Sequence, residues 1–516
     1  MSVASDKNKK QDFDILLTAQ EAYPEFERAC LSARTQITMC FRVFDPTTRL
    51  RSAEAREFGE TWMDLIAHLL GRGIHIDVTI SDFDPVALPD AHRATWSALR
   101  ALHTAAELSG RPAQLRARAA MHPARIGLIP RLLLWPGAYL ELRGTASQLN
   151  ELPPSERDTY LREAPGLRKH LAIKAGRLTA RLWPVPHVYP ATHHQKLAVI
   201  DQNVLYIGGL DLNERRYDDP GHDRPPEETW HDVQICLRGP QAASALRHLQ
   251  TFQDIAEGAR PPHLTGLIRT VSRKRYLSIT RMSPKTVLRE IADTHLSKIA
   301  NARRFIYLET QYFRDTRLAR TLARRARDNP ELGLILILPA APEEVAFEQD
   351  PGKAEKYGEY LQAKCIQMIA DAFGDRVFIG SPAQTRRADD DGRATLYDAP
   401  IIYVHTKVSI FDDDLAIVSS ANLNGRSFRW DTEAGICLSE PDRIDALWAR
   451  CTHQWLGRDA GEDCLDRGNA VAAWRLRAQA NAKIAPDERT GFLLPYASRP
   501  ARRFGHTLPG IPEEMV

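Results

Sequence analysis

The chain has 516 residues, of which 43% are hydrophobic and 26% are charged. This balance is typical of a globular protein with a substantial core, and the length predicts several domains or one large duplicated unit. The formal net charge of +3 is small for this length, so bulk charge gives no support to nucleic-acid binding.

Cysteine usage and hydropathy restrict the class of protein further. Seven cysteines are scattered without a C-x-x-C pair, which disfavours a disulfide framework and a zinc knuckle. The charged first ten residues are not followed by an apolar stretch, and no segment approaches the roughly 18 apolar residues of a membrane span. We therefore expect a cytoplasmic protein by default, and export by a machinery that reads no N-terminal signal stays open.

The first part of the chain alternates predicted strands and helices. A strand over 37–44 is followed by a helical stretch over 53–70 and by a strand over 74–80 that is rich in Ile and Val. Apolar, β-branched strands separated by helices are typical of α/β proteins with parallel strands. We predict a first lobe over residues 12–258, with a long insertion at about 103–190.

The second part of the chain repeats this order. A strand over 305–313, a helical stretch over 317–327 and a buried strand over 332–338 correspond to the three elements of the first part. We predict a second, similar lobe over residues 285–462. A C-terminal tail over 463–516 is then expected to run as a strap over the body.

Two short motifs also repeat, 211 positions apart. Both read His-x-Lys-x4-Asp and both are followed, after six residues, by a pair of small residues. The members are His194, Lys196, Asp201 and Gly208-Gly209 in the first copy, and His405, Lys407, Asp412 and Ser419-Ser420 in the second. One copy could arise by chance, but two copies with the same continuation do not. The repetition indicates one active site that is assembled from two halves of the chain.

Each motif is predicted to lie on a β-hairpin. The segments after the two histidines are apolar and β-branched, each ends in a polar turn, and a second strand follows the turn. Because side chains alternate between the faces of a strand, His194 and Lys196 share one face, and the motif aspartate lies on the opposite face. We therefore predict that Asp201 and Asp412 are structural and accept hydrogen bonds from backbone N–H groups.

Two histidines and two lysines at one site suit the cleavage of a phosphodiester. Lysine ammonium groups can bind the non-bridging phosphate oxygens, and their positive field lowers the pKa of a neighbouring histidine and favours its neutral form. One histidine can then attack phosphorus while the other protonates the leaving alcohol. Each ring needs an acceptor for its second nitrogen. Asp218 and Glu433, which follow the two histidines by 24 and 28 residues, are the candidates.

At these residues the chain resembles the phospholipase D superfamily, whose signature is the duplicated histidine–lysine–aspartate motif. The flanks resemble its larger phospholipases rather than its nucleases, and they comprise residues 193–196, 208–211, 216–222, 230–232, 307–313 and 420–427, together with Glu433. The resemblance implies two similar α-β-α sandwich lobes related by a pseudo-twofold duplication, with the active site at the lobe interface. It also implies a covalent phosphohistidine intermediate, retention of configuration at phosphorus, and neither metal nor cofactor.

The resemblance further implies a role for each site residue. His194 is the expected nucleophile, and His405 is the expected general acid and then the general base for water. Lys196, Lys407 and Asn422 would hold the phosphate, and the two acidic candidates named above would orient the histidines.

The chain departs from the family pattern in three places. Asp211 occupies the first-lobe position equivalent to Asn422. Because a carboxylate beside a phosphate is unfavourable unless it is paired or protonated, we expect Asp211 to orient a side chain rather than contact substrate. Gly208, Gly209 and Ser420 are likewise assigned structural roles, and Ser419 stands where glycine is usual. The insertion carries no family motif and is expected to influence substrate choice.

We expect a phospholipase D that acts at a membrane surface and releases phosphatidic acid and the free head group, with transfer to other alcohols left open. A nucleic-acid phosphodiesterase would need a continuous basic groove, so no nucleic-acid partner is expected. A cardiolipin-type synthase is disfavoured by the lack of membrane spans, and an inactive binding module by the full set of catalytic residues. The head group and the oligomeric state stay open.

Two local patterns allow other interpretations. Several histidines precede or follow the first motif, but His193 and His194 are adjacent on a strand and point to opposite faces, which disfavours a metal site. The stretch 125–137, with its arginines and Trp135, could lie in a bilayer interface. Its apolar run favours a buried strand or helix instead.

Overall fold

The computed structural model describes residues 12–347 and 352–516, which form an α/β protein with two large sheets. The first part contains the strands β1 Phe13–Leu17, β2 Gln36–Phe41, β3 His75–Ser81, β4 Leu115–Ala120, β5 Leu171–Lys174, β6 Arg177–Ala180, β7 Leu197–Ile200, β8 Val204–Gly208 and β9 Val233–Arg238. Its helices are α1 Thr18–Leu31, α2 Ala53–Arg56, α3 Trp62–Gly71, α4 Pro89–Leu108, α5 Leu128–Glu151, α6 Pro154–Glu163, α7 Pro165–Arg168 and α8 Gln241–Glu257.

The second part repeats this architecture. Its strands are β10 Ile268–Arg273, β11 Lys285–Arg289, β12 Phe305–Thr310, β13 Gly333–Ile337, β14 Val377–Pro382, β15 Thr395–Leu396, β16 Ala399–Pro400, β17 Lys407–Phe411, β18 Leu415–Ser419, β19 Glu433–Leu438 and β20 Leu493–Pro495. Its helices are α9 Glu290–Asn301, α10 Thr316–Asp328, α11 Glu343–Phe347, α12 Lys353–Phe373, α13 Gly425–Arg429, α14 Pro441–Leu456, α15 Glu462–Leu465, α16 Ala470–Asn481 and α17 Ser498–Phe504.

The two sheets have the same internal order. The first runs β1-β9-β8-β7-β2-β3-β4, and the second runs β11-β10-β19-β18-β17-β12-β13-β14-β20. In each sheet three strands pair in parallel, β2-β3-β4 and β12-β13-β14, and the motif hairpins β7-β8 and β17-β18 pair antiparallel. The α/β class, the duplication and both motif hairpins are therefore confirmed.

Helices cover the sheets through one apolar stripe. In α10, Leu318, Leu322 and Ala326 recur at four-residue spacing and are buried, and burial of each leucine contributes about 1.5–3 kcal/mol. Asp315 begins this helix by accepting a hydrogen bond from the N–H of Leu318 at 2.7 Å. The neighbouring strand β12 is buried at every position, as expected for a parallel strand covered on both faces.

The two sheets meet in a shared hydrophobic core. Val199 and Ile207 of the first hairpin belong to the same buried cluster as Val408 and Val418 of the second. The motif hairpins are thus among the elements that join the two halves, and the ends of both hairpins are brought to one interface.

The structure shifts three boundaries predicted from sequence. Strand β4 lies within the predicted insertion at 103–190 but completes the first sheet, so the inserted structure begins after Ala120. Strand β10 pairs with β19, so the second sheet starts before the predicted boundary at 285. The C-terminal tail contributes β20 to the edge of the second sheet and is part of that lobe.

The apolar stretch 125–137 is the clearest difference from the sequence expectation of burial. It forms the start of α5, and Leu133 in this part of the helix is 75% exposed. The helix packs on the protein through its later residues, where Leu142, Ala146 and Leu149 are buried in a small cluster of the insertion. No helix in the described parts of the chain combines the length and apolar character that crossing a membrane requires.

Candidate active site

The two motif histidines lie immediately before the first strands of their hairpins and face each other across the interface. The backbone N–H of His194 donates to the carbonyl of Thr432 at 2.8 Å. The N–H of His405 donates to the carbonyl of His231 at the same distance. Each histidine is therefore positioned by the backbone of the opposite lobe, and the site exists only when both lobes are folded together.

Both imidazoles line one cavity of about 460 Å³. The remaining walls combine cationic, aromatic and acidic side chains, among them Arg42, Arg216, Arg314, Arg426, Phe83, Trp230, Tyr312, Glu343, Glu344, Glu355 and Asn422. The residues of the C-terminal segment at 515 and 516 also contribute to the wall. A cavity of this size with several guanidinium groups is suited to a ligand that carries phosphate.

His194 is oriented by Glu433, which begins β19 in the second lobe. The Nδ1 atom of His194 lies 3.0 and 3.1 Å from the two carboxylate oxygens. Ser420 donates its hydroxyl to the same carboxylate at 2.5 Å, so the serine of the second motif fixes the acid. Burial raises the pKa of Glu433 to about 8, and the Lys196 ammonium opposes this effect.

His405 is oriented by Asp232, which directly precedes β9 in the first lobe. Its Nδ1 atom lies 2.6 Å from Oδ2 of Asp232. Burial raises the pKa of this carboxyl to about 7, while the Lys407 ammonium acts in the opposite direction. The two acids occupy equivalent places at the start of β9 and β19, and each crosses the interface to the histidine of the other lobe.

The prediction that Asp218 orients a motif histidine was wrong. Its carboxylate lies 2.6 Å from Nδ1 of His222 and accepts a second hydrogen bond, also 2.6 Å, from the N–H of Trp230. Asp218 lies in the connection between β8 and β9, where it braces the loop whose Trp230 ring packs against His405 at a centroid distance of 4.5 Å. The sequence repeat could have identified Asp232, because Asp232 lies at the start of β9 as Glu433 lies at the start of β19.

The two lysines are buried beside the histidines. Lys196 donates to the carbonyl of His194 at 2.5 Å, and its Nζ lies 3.8 Å from Oδ2 of Asp211. Asp211 also accepts a hydrogen bond of 2.8 Å from the N–H of Val43, so this carboxylate is paired and held in place. Lys407 donates to the carbonyl of His405. Burial lowers the pKa of Lys407 to about 7, and the nearby Asp232 carboxylate acts in the opposite direction. Neither lysine is among the residues that line the cavity, since both are buried behind the histidines.

Asn422 is the third predicted phosphate ligand. It donates its amide to Oε1 of Gln311 at 3.1 Å, and its own carbonyl oxygen is buried without a hydrogen-bond partner. Four arginines that sequence reasoning did not assign also reach the cavity: Arg42, Arg216, Arg314 and Arg426. Of these, Arg216 and Arg426 lie within sequence flanks that resemble the family, at 216–222 and 420–427.

The motif aspartates bind backbone amides away from the cavity. Asp201 accepts hydrogen bonds from the N–H groups of residues 34, 35 and 36, and Asp412 accepts them from residues 303, 304 and 305. Each aspartate therefore ties the end of its hairpin to the start of the neighbouring parallel strand. This is backbone capping, as the sequence predicts, but the capped amides lie outside the turn itself.

Glycine is required at 209 because the carboxylate of Asp232 occupies the space of a side chain. A Cβ built on Gly209 would lie 2.3 Å from Oδ1 of Asp232. At Gly208 a Cβ would lie 2.3 Å from the carbonyl oxygen of Val233. The small pair of the first motif thus allows β8 to approach the strand that carries the acid.

Gly209→Ala is expected to lower kcat for phosphodiester hydrolysis on the order of 10²-fold, because the methyl group displaces Asp232 from His405. Steady-state kinetics on a soluble phosphodiester would measure the effect. Gly144→Ala is the control, since a Cβ there meets no atom within 4 Å. Equal activity of the two variants would contradict this role of Gly209.

The pH dependence should report the surroundings of His194. Burial lowers its pKa well below 6.5, and the cations Lys196 and Arg42 act in the same direction. The neutral ring therefore persists as the pH falls through 6.5, and activity that depends on it should be lost only at lower pH. The measurement is kcat/KM of a p-nitrophenyl phosphodiester, whose leaving group needs no proton.

Arg42→Met provides the comparison for this titration. Removing one cation near His194 should move the acidic limb to higher pH. An acidic limb at or above pH 6.5 in the unaltered protein, or no movement in the variant, would contradict the assignment.

Within the described residues, no group of three or more His, Cys, Asp or Glu side chains is arranged to hold a metal ion. His193, one of the histidines considered for such a site, is buried with its Nδ1 atom 2.8 Å from the hydroxyl of Thr432. It contributes to the contact between the lobes.

Comparison with known proteins finds one family and several relatives that are similar to parts of this chain. The family described as "Cardiolipin synthase, PLD-like domain" matches residues 296–455. Phospholipase D1 of Schizosaccharomyces pombe is 24% identical over 350 residues, which cover 49% of this chain and 25% of that protein. Phospholipase D alpha 1 of Oryza sativa subsp. japonica is 24% identical over 367 residues, which cover 48% of this chain and 45% of the other.

Among solved structures, the phosphatidylserine synthase of Haemophilus influenzae aligns with 86% of this chain and 85% of its own, with a TM-score of 0.49 and 12% identity. The curated relatives above match this chain over less than half of their own length. The chain is therefore similar to phospholipase D-like proteins over residues 296–455 and over about half of its length.

Proposed function

We propose that the protein is a phospholipase D that cleaves the distal phosphodiester bond of glycerophospholipids. The observation that carries the proposal is the pair of imidazoles in one cavity, each held at Nδ1 by a carboxylate of the opposite lobe. Both rings therefore present Nε2 to the ligand, one to attack phosphorus and one to exchange a proton. The names of the curated relatives support the choice of a phospholipid substrate.

In the first step Nε2 of His194 attacks phosphorus, and the bond from phosphorus to the head-group oxygen breaks. His405, protonated, transfers its Nε2 proton to that oxygen, so the head group leaves as a neutral alcohol. In the resting cavity the pKa of His405 is lowered by burial and by Lys407. Because the phosphodiester brings negative charge beside the ring, substrate binding raises this pKa toward the value needed for an acid.

In the second step the neutral His405 takes a proton from water as the water oxygen attacks phosphorus. The bond between phosphorus and His194 breaks, and phosphatidic acid is released. Lys196, Lys407 and Asn422 hold the non-bridging oxygens in both steps, and Asp211 keeps Lys196 in place. If an alcohol replaces water, the product is a new phosphodiester.

The test is the product spectrum from mixed glycerophospholipids, measured by mass spectrometry with and without ethanol. We expect phosphatidic acid alone without ethanol, and phosphatidylethanol in addition when ethanol is present. Diacylglycerol or lysophospholipid as the main product would contradict cleavage of the distal bond. Absence of any lipid product, with hydrolysis of a soluble phosphodiester retained, would contradict the substrate class.

A second candidate is a phospholipid synthase that uses a lipid alcohol as acceptor. The matching family, whose description names cardiolipin synthase, is the observation that favours it. The chemistry of the first step is unchanged, and phosphatidylglycerol takes the place of water in the second. Cardiolipin formed from added phosphatidylglycerol, in excess over phosphatidic acid, would favour the synthase over the hydrolase.

A further inference from the structure

The part of α5 that was expected to be buried belongs to an exposed apolar surface formed by three segments. Leu132 and Leu133 are 49% and 75% exposed in the first half of the helix. Tyr276 and Leu277, in the loop between β10 and β11, are 75% and 94% exposed, and Trp183 in the loop after β6 is 75% exposed. We call these three segments, residues 121–140, 166–190 and 274–285, the apolar face.

Hydrogen bonds show that the three segments adjoin one another. The N–H groups of Leu128 and Ile129 donate to the carbonyls of Ser278 and Ile279 at 3.2 and 2.8 Å. The guanidinium of Arg131 donates to the carbonyls of residues 185 and 186, directly after Trp183. The exposed aromatic and aliphatic side chains are therefore presented by one connected part of the molecule.

The apolar face lies at the edge of the first sheet that bears the cavity. Strands β2, β3 and β4 are parallel, so their carboxyl ends share one edge. Arg42 follows β2, Phe83 follows β3, and both line the cavity. The segment after β4 leaves the same edge and leads into α5. The loop after β6 then continues to His194, and on the way Tyr189 donates its N–H to Asp84 beside Phe83.

The positive charge of the apolar face favours an anionic partner. The three segments together carry eleven Arg and Lys residues and no Asp or Glu, in a chain whose formal net charge is only +3. A contact between two copies through this face would bring like charges together. Exposed Leu, Trp and Tyr among basic residues match the boundary between the acyl chains and the anionic head groups of a bilayer.

We propose that the apolar face docks the protein on an anionic phospholipid bilayer and places the mouth of the cavity at the membrane surface. This proposal rests on the proposed function, because docking serves to bring a site that cleaves phospholipids to the bilayer that contains them. The binding itself requires no catalysis and can be measured separately.

The test is co-sedimentation with vesicles of phosphatidylcholine that contain one third phosphatidylglycerol, using full-length protein with His194→Asn so that lipid is not consumed. We expect the parent to bind these vesicles, and to bind them less as salt is added. In Leu133→Glu/Leu277→Glu binding should fall by about tenfold or more, since two apolar contacts are lost and two negative charges are added.

Leu108→Glu is the matched control. Leu108 is 67% exposed at the end of α4, on the amino side of β4 and hence at the opposite edge of the sheet. Its binding should stay within about twofold of the parent. No binding by the parent, equal binding by the double variant, or an equal loss in the control would overturn the proposal. If the parent is a dimer and Leu133→Glu/Leu277→Glu is a monomer, the docking proposal is also overturned, and the apolar face is a contact between two copies of the chain.

A soluble phosphodiester separates this proposal from the proposed function. With His194 restored, the double variant should hydrolyse bis(p-nitrophenyl) phosphate at the rate of the unaltered protein but lose activity on vesicles. If the double variant loses vesicle binding and the unaltered protein has no activity on any phospholipid, docking is supported and the phospholipase assignment is contradicted. If the double variant binds and hydrolyses vesicles as the unaltered protein does, the phospholipase assignment is supported and docking through the apolar face is contradicted.

Discussion

Replacing His194 by asparagine is expected to lower kcat on the order of 10⁴-fold or more for every phosphodiester, whatever its leaving group. Asparagine is close in size to histidine, but its amide cannot attack phosphorus. The hydrogen bond from the ring to Glu433 is also lost. Initial rates on a phospholipid and on a p-nitrophenyl phosphodiester would measure the effect.

His405→Asn should behave differently with the two substrates. Hydrolysis of the phospholipid should fall about as far as in His194→Asn, because the alkoxide leaving group needs a proton. With the p-nitrophenyl ester the first step should survive, and a burst of nitrophenol close to one per protein should precede a slow phase, since water has lost its base. A burst in His194→Asn and none in His405→Asn would reverse the two assigned roles.

The second large effect concerns the acid of His405. Asp232→Asn should lower kcat by about 10²- to 10⁴-fold, because the amide no longer stabilises the protonated ring and admits the wrong tautomer. Asp218→Asn removes a buried acid of the same type that contacts His222 instead. It should change kcat less than tenfold while lowering the free energy of unfolding by about 1.5–3 kcal/mol, as expected for a charged hydrogen bond.

Kinetics and thermal unfolding of these two variants together distinguish the acids. A kcat for Asp218→Asn below that of Asp232→Asn would restore the assignment made from sequence and contradict the geometry. Asp232→Glu offers a further comparison. It retains the charge but not the 2.6 Å contact, so partial activity is expected.

Local patterns in the sequence were sufficient for the elements that carry the site. The alternation of apolar residues and the polar turns identified both hairpins, and the side-chain alternation placed His194 and Lys196 together. The structural role of Asp201 and Asp412 followed from the same count. These features depend on neighbours in sequence, and the repeat supplied a second, independent copy of each.

Contacts between the two lobes could not be predicted from local sequence patterns. The acid that orients each histidine comes from the other lobe. Counting residues along one lobe assigned Asp218 to His194 and Glu433 to His405, whereas the structure pairs Glu433 with His194 and Asp232 with His405. The same limit applies to the arginines, since Arg42, Arg314 and Arg426 reach the cavity from three different connections. For α5, an apolar run in the sequence predicted burial, but nothing in that run shows whether the fold has a partner to cover it.

The proposed mechanism requires a covalent bond between His194 and phosphorus. The most direct measurement is mass spectrometry of His405→Asn, quenched in base after mixing with a p-nitrophenyl phosphodiester, followed by fragmentation of the modified peptide. We expect one phosphoryl ester adduct per chain, located on His194, and none in the double variant His194→Asn/His405→Asn. An adduct on any other residue, or complete burst release of nitrophenol without an adduct, would contradict it.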